Sequence, residues 1–134
     1  MEGDSGNVVR AQFDATNRRD WTAAMDAYDD DVELVVGANF LLAAGTFRGR
    51  EAVGQWFGDW FRTFGGGFKF DIVELRDAGE RVALWARHTA RGSQSGAEVV
   101  GDFFYEYRVR EGKIVFVRFC GSWAEAVETL ALNR

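Results

Sequence analysis

Glu98-Val-Val-Gly-Asp-Phe-Phe-Tyr-Glu-Tyr-Arg-Val-Arg-Glu-Gly-Lys-Ile-Val-Phe-Val-Arg-Phe-Cys120 carries the reading of the fold. The stretch is rich in β-branched and aromatic residues, and Glu111-Gly112 breaks it into two strands with a hairpin turn. Two further strands precede it, 68–76 and 81–91, closed by Asp77-Ala-Gly-Glu80 and Gly92-Ser-Gln-Ser-Gly96. The result is a meander of four strands: 68–76, 81–91, 98–110 and 113–120.

Side chains alternate along a strand, so a register assigns them to faces. With 88 opposite 101 and 107 opposite 115, one face collects Val82, Leu84, Ala86, His88, Gly101, Phe103, Tyr105, Tyr107, Val115, Val117 and Phe119. That face is apolar and aromatic apart from one imidazole and two phenol hydroxyls. The other carries Trp85, Arg87, Arg91, Asp102, Phe104, Glu106 and Arg108, with Ile114 and Phe116. Arg87 then lies opposite Asp102, a favourable cross-strand pair. This second face is too apolar for a bare solvent face, which implies a cover, read here as a second subunit.

Working outward, Asp4 or Ser5 caps a helix running to about Asn17, with Val9, Phe13 and Thr16 or Asn17 on one side. Asp20 caps a short helix from Trp21 to about Tyr28. Asp29-Asp-Asp31 reads as a solvated turn, and 32–36 as a strand. Gly37–Gly45 is apolar at Phe40-Leu-Leu42, fitting a lid, a subunit contact or a buried strand. The next helix, 50–64, places Val53, Trp56, Phe57, Trp60, Phe61 and Phe64 on one broad aromatic stripe. Gly65-Gly-Gly67 ends it. Ser122-Trp-Ala-Glu125 is a capping box that opens a last helix. The order predicts an α+β domain, with helices packed on a curved, mostly antiparallel sheet.

Composition narrows the function classes. A chain of 134 residues fits one domain, with about 1–5 and 132–134 as flexible ends. Sixteen Lys+Arg against 21 Asp+Glu give a net charge of −5, which speaks against nucleic acid. No apolar run reaches membrane-spanning length, and no basic-then-apolar leader is visible. One cysteine fits a reducing cytoplasm, and one cysteine with one histidine excludes a zinc site built from several such ligands. Gly92–Gly96 joins two strands rather than opening a helix, so it lacks phosphate-loop geometry. No metal or cofactor is expected.

The chain resembles the SnoaL-like branch of the nuclear transport factor 2-like superfamily. The resemblance lies in Asn17-Arg-Arg-Asp-Trp-Thr-Ala-Ala-Met-Asp-Ala-Tyr-Asp-Asp-Asp31, Gly45-Thr-Phe-Arg-Gly-Arg-Glu-Ala-Val53, Glu111-Gly-Lys-Ile-Val115 and Ala124-Glu-Ala-Val127. It implies a cone-shaped domain with three to four helices on one face of the sheet, a deep apolar pocket and frequent homodimerisation. It also implies a range of activities: polyketide cyclases, ketosteroid isomerases, limonene-epoxide hydrolases and proteins with no known reaction. The isomerase base position falls at Val36, the second hydrolase aspartate at Phe119, and the isomerase tyrosine near Gln12 or Phe13. The acid before the last helix is replaced around Cys120-Gly-Ser122. Those constellations are therefore absent or one residue deep.

His88 is the only side chain with an ordinary pKa near neutrality, and it falls where the hydrolase branch places an aspartate. It reads either as a proton-transfer group or as a hydrogen-bonded core histidine. Tyr105 and Tyr107 are candidates to polarise a carbonyl. Val36, Trp56, Trp60, Leu84, Phe103, Val117 and Phe119 are the expected substrate-contacting walls. Cys120 is expected on the opposite face as an inert thiol. The expected function is cofactor-free acid–base chemistry on a hydrophobic small molecule: cyclisation, isomerisation or hydration–dehydration. The alternatives are a non-catalytic binding protein with the same pocket and a protein-interaction module.

Overall fold

A computed structural model describes residues 4–37, 44–63, 67–91 and 98–131. The elements run α1 (Asp4–Asn17), α2 (Trp21–Asp26), β1 (Tyr28–Val36), β2 (Gly45–Arg48), α3 (Arg50–Thr63), β3 (Phe68–Ala78), β4 (Arg81–Arg91), β5 (Glu98–Arg110), β6 (Lys113–Cys120) and α4 (Trp123–Glu128), closing with a 3-10 turn at Thr129–Ala131. They form one six-stranded sheet in the order β2-β1-β6-β5-β4-β3. Every pairing is antiparallel except β1 with β6. The architecture is α+β, as the meander and its flanking helices predict.

The sequence boundaries of β4, β5 and β6 hold to the residue; α1 already includes Asp4 and Ser5, expected as its cap, while the caps expected at Asp20 and Ser122 form. Asp20 Oδ1 accepts from the Ala23 amide at 3.1 Å, and Ser122 Oγ accepts from the Glu125 amide at 3.1 Å. The Glu111-Gly112 turn has positive φ at both residues, 52° and 77°. That is the type I′ geometry whose twist matches flanking strands, and glycine at the second position adopts it without strain.

His88 pairs with Gly101 and Arg87 with Asp102, as expected, and the latter pair is salt-bridged at 3.0 Å. The β5–β6 register differs from expectation. Tyr107 lies opposite Val117, not Val115, because Arg108 pairs with Phe116 while Val109 pairs with Ile114. Val115 is the extra residue of a β-bulge. Beyond it the inward and outward positions exchange, so Ile114, expected outside, is fully buried in the core. The short strand β2 was not foreseen. Tyr28 opens β1 instead of closing α2, and the acidic triplet 29–31 lies in a register shift between β1 and β6. Phe40-Leu-Leu42, Phe64, Gly65-Gly66 and Gly92–Gly96 lie outside the described residues.

Helices α1, α2 and α3 pack on the inner face. Val53, Trp56 and Trp60 of α3 are buried, with Phe57 and Phe61 packed at their edge. The apolar stripe thus sits where helical spacing puts it. Asn17 stitches α1 to the edge strand β3: its side chain donates to the Phe70 carbonyl at 2.8 Å and accepts from the Phe70 amide at 2.9 Å.

Helix α4 lies against the outer face. Trp123 packs on Trp85, with ring centroids 6.1 Å apart. Part of the cover expected from a second subunit is therefore supplied by the chain itself. Beneath α4, Glu106 is buried with its side chain 3% exposed. Its carboxylate accepts from Arg81 Nη1 at 3.1 Å and Arg118 Nε at 2.9 Å, and Arg108 lies 3.6 Å away. Arg118 continues to Glu125 of α4 at 3.0 Å. Arg81 Nη2 and Arg108 Nε are buried without a hydrogen-bond partner among the described residues.

Candidate functional site

The inner face encloses a cavity of about 910 Å³ between α1, α2, α3 and the sheet. That is the size of a pocket for a small organic molecule. Two glycines of α3 form part of its wall. Gly54 and Gly58 both line the space, one helical turn apart. A Cβ at Gly54 would stand 3.0 Å from Met25 Cε of α2, and at Gly58 the nearest neighbour is the tip of Arg62 at 3.4 Å. Glycine inside a helix costs roughly 0.5–1 kcal/mol relative to alanine. Here the missing side chains let Met25 of α2 and the tip of Arg62 pack closely against α3.

The floor comes from β5. Tyr105 and Tyr107 alternate inward, each 2% exposed, with ring centroids 5.6 Å apart. Phe13 of α1 meets both rings edge-on. Neither hydroxyl bonds to a protein group among the described residues, and both tyrosines line the cavity. Beside them, Gln12 Nε2 donates to the Tyr28 hydroxyl at 3.3 Å and to Thr16 Oγ1 at 3.3 Å. Burial pushes the pKa of Tyr28, Tyr105 and Tyr107 well up. For Tyr105 and Tyr107, repulsion from the neighbouring phenol oxygens adds to this. All three stay protonated at neutral pH, so each hydroxyl remains a donor.

The sequence-predicted residues divide. Tyr105, Tyr107 and Trp60 line the cavity. Val36, Leu84 and Val117 are core residues at 3%, 0% and 0% exposure, so they act as packing around the site. Trp56 packs on Phe119 at 5.5 Å, and Phe103 packs edge-on against Trp60 at 5.3 Å. His88 points inward but stands behind the cavity wall. Its ring stacks on Phe70 at 4.5 Å and meets Trp60 edge-on at 5.2 Å, and both of those line the space. Burial lowers its pKa to about 4, so the imidazole is neutral at pH 7. Cys120 is half-buried on the outer side, opposite Phe104, and burial pushes its thiol up to about 12. A thiol so protonated is a poor nucleophile.

Sequence reasoning missed the other half of the site: Gln12, Thr16, Phe57 and Phe61 from the helices and Tyr28 from the start of β1, with arginines at the rim. A signal was present in α1, where Gln12 and Thr16 fall four residues apart on the face that also carries Phe13. Two polar residues on an inward helical face suggest a polar patch within. Among the described residues there is no group of three or more His, Cys, Asp or Glu placed to hold a metal ion. No described helix is long and apolar enough to cross a membrane.

The shape has many counterparts among solved structures. TerC, co-crystallised with polyporic acid, is 19% identical; the match covers 97% of this chain and 100% of that one, with a TM-score of 0.75. A Mycobacterium tuberculosis protein in complex with estradiol-17β-hemisuccinate is 15% identical over 92% of this chain and 98% of its own, with a TM-score of 0.74. A Catenulispora acidiphila protein with a ketosteroid isomerase-like fold, in complex with trimethylamine, is 17% identical over 94% and 93%, with a TM-score of 0.70. At these identities the likeness concerns the fold. A search of curated proteins finds no match. The family model described as the SnoaL-like domain matches residues 9–117, taking in α1 through most of β6, so the chain belongs to the SnoaL-like domain family.

Proposed function

We propose that this protein binds a hydrophobic small molecule of polyketide or terpenoid size and holds one of its oxygen atoms on the tyrosine floor. One observation carries the reading: Tyr105 and Tyr107, each only 2% exposed, line a cavity of about 910 Å³, and neither hydroxyl bonds to a described protein group. A buried polar group without a partner costs roughly 1–3 kcal/mol. A ligand carbonyl or hydroxyl placed there recovers that cost, while the aromatic walls bury its body. Fluorenone and its deoxygenated parent fluorene make a direct test, read by quenching of tryptophan fluorescence. The reading requires fluorenone to bind several-fold more tightly. Equal affinity would remove the tyrosines from recognition, and binding of neither would remove the cavity.

A catalytic reading has one supporting observation. Tyr28, Tyr105 and Tyr107 stay protonated and lie together, which suits the stabilisation of an enolate oxygen. In that reading the chain is a cofactor-free enzyme of cyclisation, isomerisation or hydration–dehydration, and His88 accepts the proton once Trp60 or Phe70, both of which stand between it and the cavity, moves aside. A pKa near 4 makes it a weak base. Exchange of α-protons of a bound cyclic ketone into deuterated water tests the step. Exchange that disappears in a folded His88→Gln variant supports it, and no exchange leaves the protein a binder.

The same proposal includes pairing of two copies through the outer face beyond α4, where Trp85 and Phe104 are only half-buried and Val100 is 55% exposed. Light scattering at two concentrations measures it, and a monomer at both excludes it. A cytoplasmic location remains the expectation from the single thiol.

A further inference from the structure

We infer that the occupant of the cavity is an anion: a flat aromatic molecule whose acidic group sits at the mouth between Arg19 and Arg62. This rests on the reading of the cavity as a ligand site and adds the ligand's charge. The chain as a whole is acidic, with a formal net charge of −5. The cavity lining runs the other way, with Arg19, Arg50 and Arg62 against one carboxylate, Glu51.

The arginines are not spread evenly. Arg50 and Glu51 are adjacent at the start of α3, and Arg50 Nε is paired with Asp30 at 3.4 Å. Arg62 is twelve residues further along α3, about 18 Å away at 1.5 Å per residue. It lines the cavity, as does Arg19, which lies on an aromatic shelf. Phe61 is stacked between Trp21 at 5.7 Å and Phe68 at 4.6 Å. The Arg19 guanidinium lies 3.8 Å above the centre of the Phe68 ring. It is held there by carbonyl oxygens, with Nη1 donating to Asn17 at 2.9 Å and Nη2 to Phe68 at 2.6 Å. Arg19 adopts a left-handed backbone, φ 62°, that disfavours a side chain with a Cβ. The position is therefore occupied by a cation at some backbone cost.

Arg62 is placed by an absence. Its Nη1 lies 3.4 Å from where a Gly58 Cβ would stand, so the glycine lets the guanidinium fold back along α3 over the cavity. Its partner Asp59 stands on the solvent side of the same helix, and both side chains are more than half exposed. Exposed pairs of this kind are worth little, so Arg62 can turn to a ligand carboxylate or sulfonate without much loss. A flat anion entering here meets a ring shelf for its body and two guanidiniums for its charge. The Tyr105 and Tyr107 hydroxyls wait at the floor for a second oxygen.

The test uses two fluorescent probes that differ by one charged group. 8-Anilinonaphthalene-1-sulfonate is the anion, and N-phenyl-1-naphthylamine is its neutral parent. At low ionic strength the anion is expected to bind about fivefold more tightly. Raising salt to 0.5 M should close most of that gap, because exposed charges are screened over a few ångströms. Arg62→Gln, at an exposed position, should halve the preference or more with the fold intact by circular dichroism. Gly58→Leu should weaken both probes, which locates them in this cavity. Equal affinity of the two probes, or a preference indifferent to both salt and Arg62→Gln, overturns the inference and leaves the cavity reading standing. Binding of neither probe overturns the cavity reading and this inference together.

Discussion

Tyr105, Glu106 and Tyr107 are consecutive on β5, and the sheet sends them to opposite fates. The two tyrosines turn inward to a cavity, where no described protein group bonds their hydroxyls. Glu106 turns outward and is buried as deeply, ringed by Arg81, Arg108 and Arg118 under α4. The difference follows from what each group costs when buried. An ionised carboxylate removed from water is tolerated only with cations at hand. The outer face is therefore closed and structural. A phenol hydroxyl costs a few kcal/mol at most, so the inner face can keep it in reserve for a ligand. Polar atoms that the protein does not pair are the better guide to function here than charged ones that it does.

Breaking the outer cluster should have the largest effect. Glu106→Ala leaves three arginines without their common carboxylate, and stability should fall by about 3–5 kcal/mol in urea unfolding. Probe affinity of the molecules still folded should not change. A loss below about 1 kcal/mol would mean that the outer cluster is not what holds α4 down.

The next effect comes from pH and belongs to the inner side. His88 has a folded-state pKa of about 4 against an ordinary 6.5, with burial as the cause. Below pH 6.5 the unfolded chain takes up a proton that the folded chain refuses. Stability is then complete above pH 6.5 and lost as pH falls toward 4, by about 3 kcal/mol over the window. His88→Gln should flatten that part of the profile. An unchanged profile would place the acid sensitivity in carboxylates instead.

The two tyrosines sharpen the contrast from the other side. Replacing both with phenylalanine should change unfolding free energy by less than about 1 kcal/mol, since no described protein partner is lost. Fluorenone affinity should nevertheless fall by about tenfold, which is 1.4 kcal/mol. A large loss of stability with unchanged affinity would reverse the assignment of the two faces. The smallest effect is expected at the edge of the outer cluster. Ser122→Ala removes the cap of α4 and should cost about 1 kcal/mol. Hydrogen exchange should then quicken in α4 and leave β5 unaffected.

Much of this arrangement was readable from residues alone. The alternation in 81–91 and 98–110 placed Tyr105, Tyr107 and His88 on one face and Glu106 on the other, and the structure keeps them there. The bulge at Val115 was not readable. A single inserted residue leaves local composition unchanged and moves Ile114 from one face to the other. The position of α4 was also hidden, because its pairing through Arg118 and Glu125 joins residues on two elements whose mutual approach no periodicity encodes. The site was half legible for the same reason. Its strand-borne floor followed from alternation, whereas Gln12, Tyr28, Gly58 and the rim arginines meet only once three helices are folded over the sheet.

The sequence by itself determined the local terms: the extents of β4, β5 and β6, the caps at Asp20 and Ser122, and which face of β4 and β5 is apolar. These depend on neighbours within a few residues, so short-range chemistry decides them. Tertiary structure decided which apolar face would be filled and which left open. Trp60, Phe68, Phe70 and Phe103 close around His88, while Tyr105 and Tyr107 face an open cavity that the two glycines of α3 also line. A cavity is a property of how volumes from distant segments add, and no single segment carries that sum.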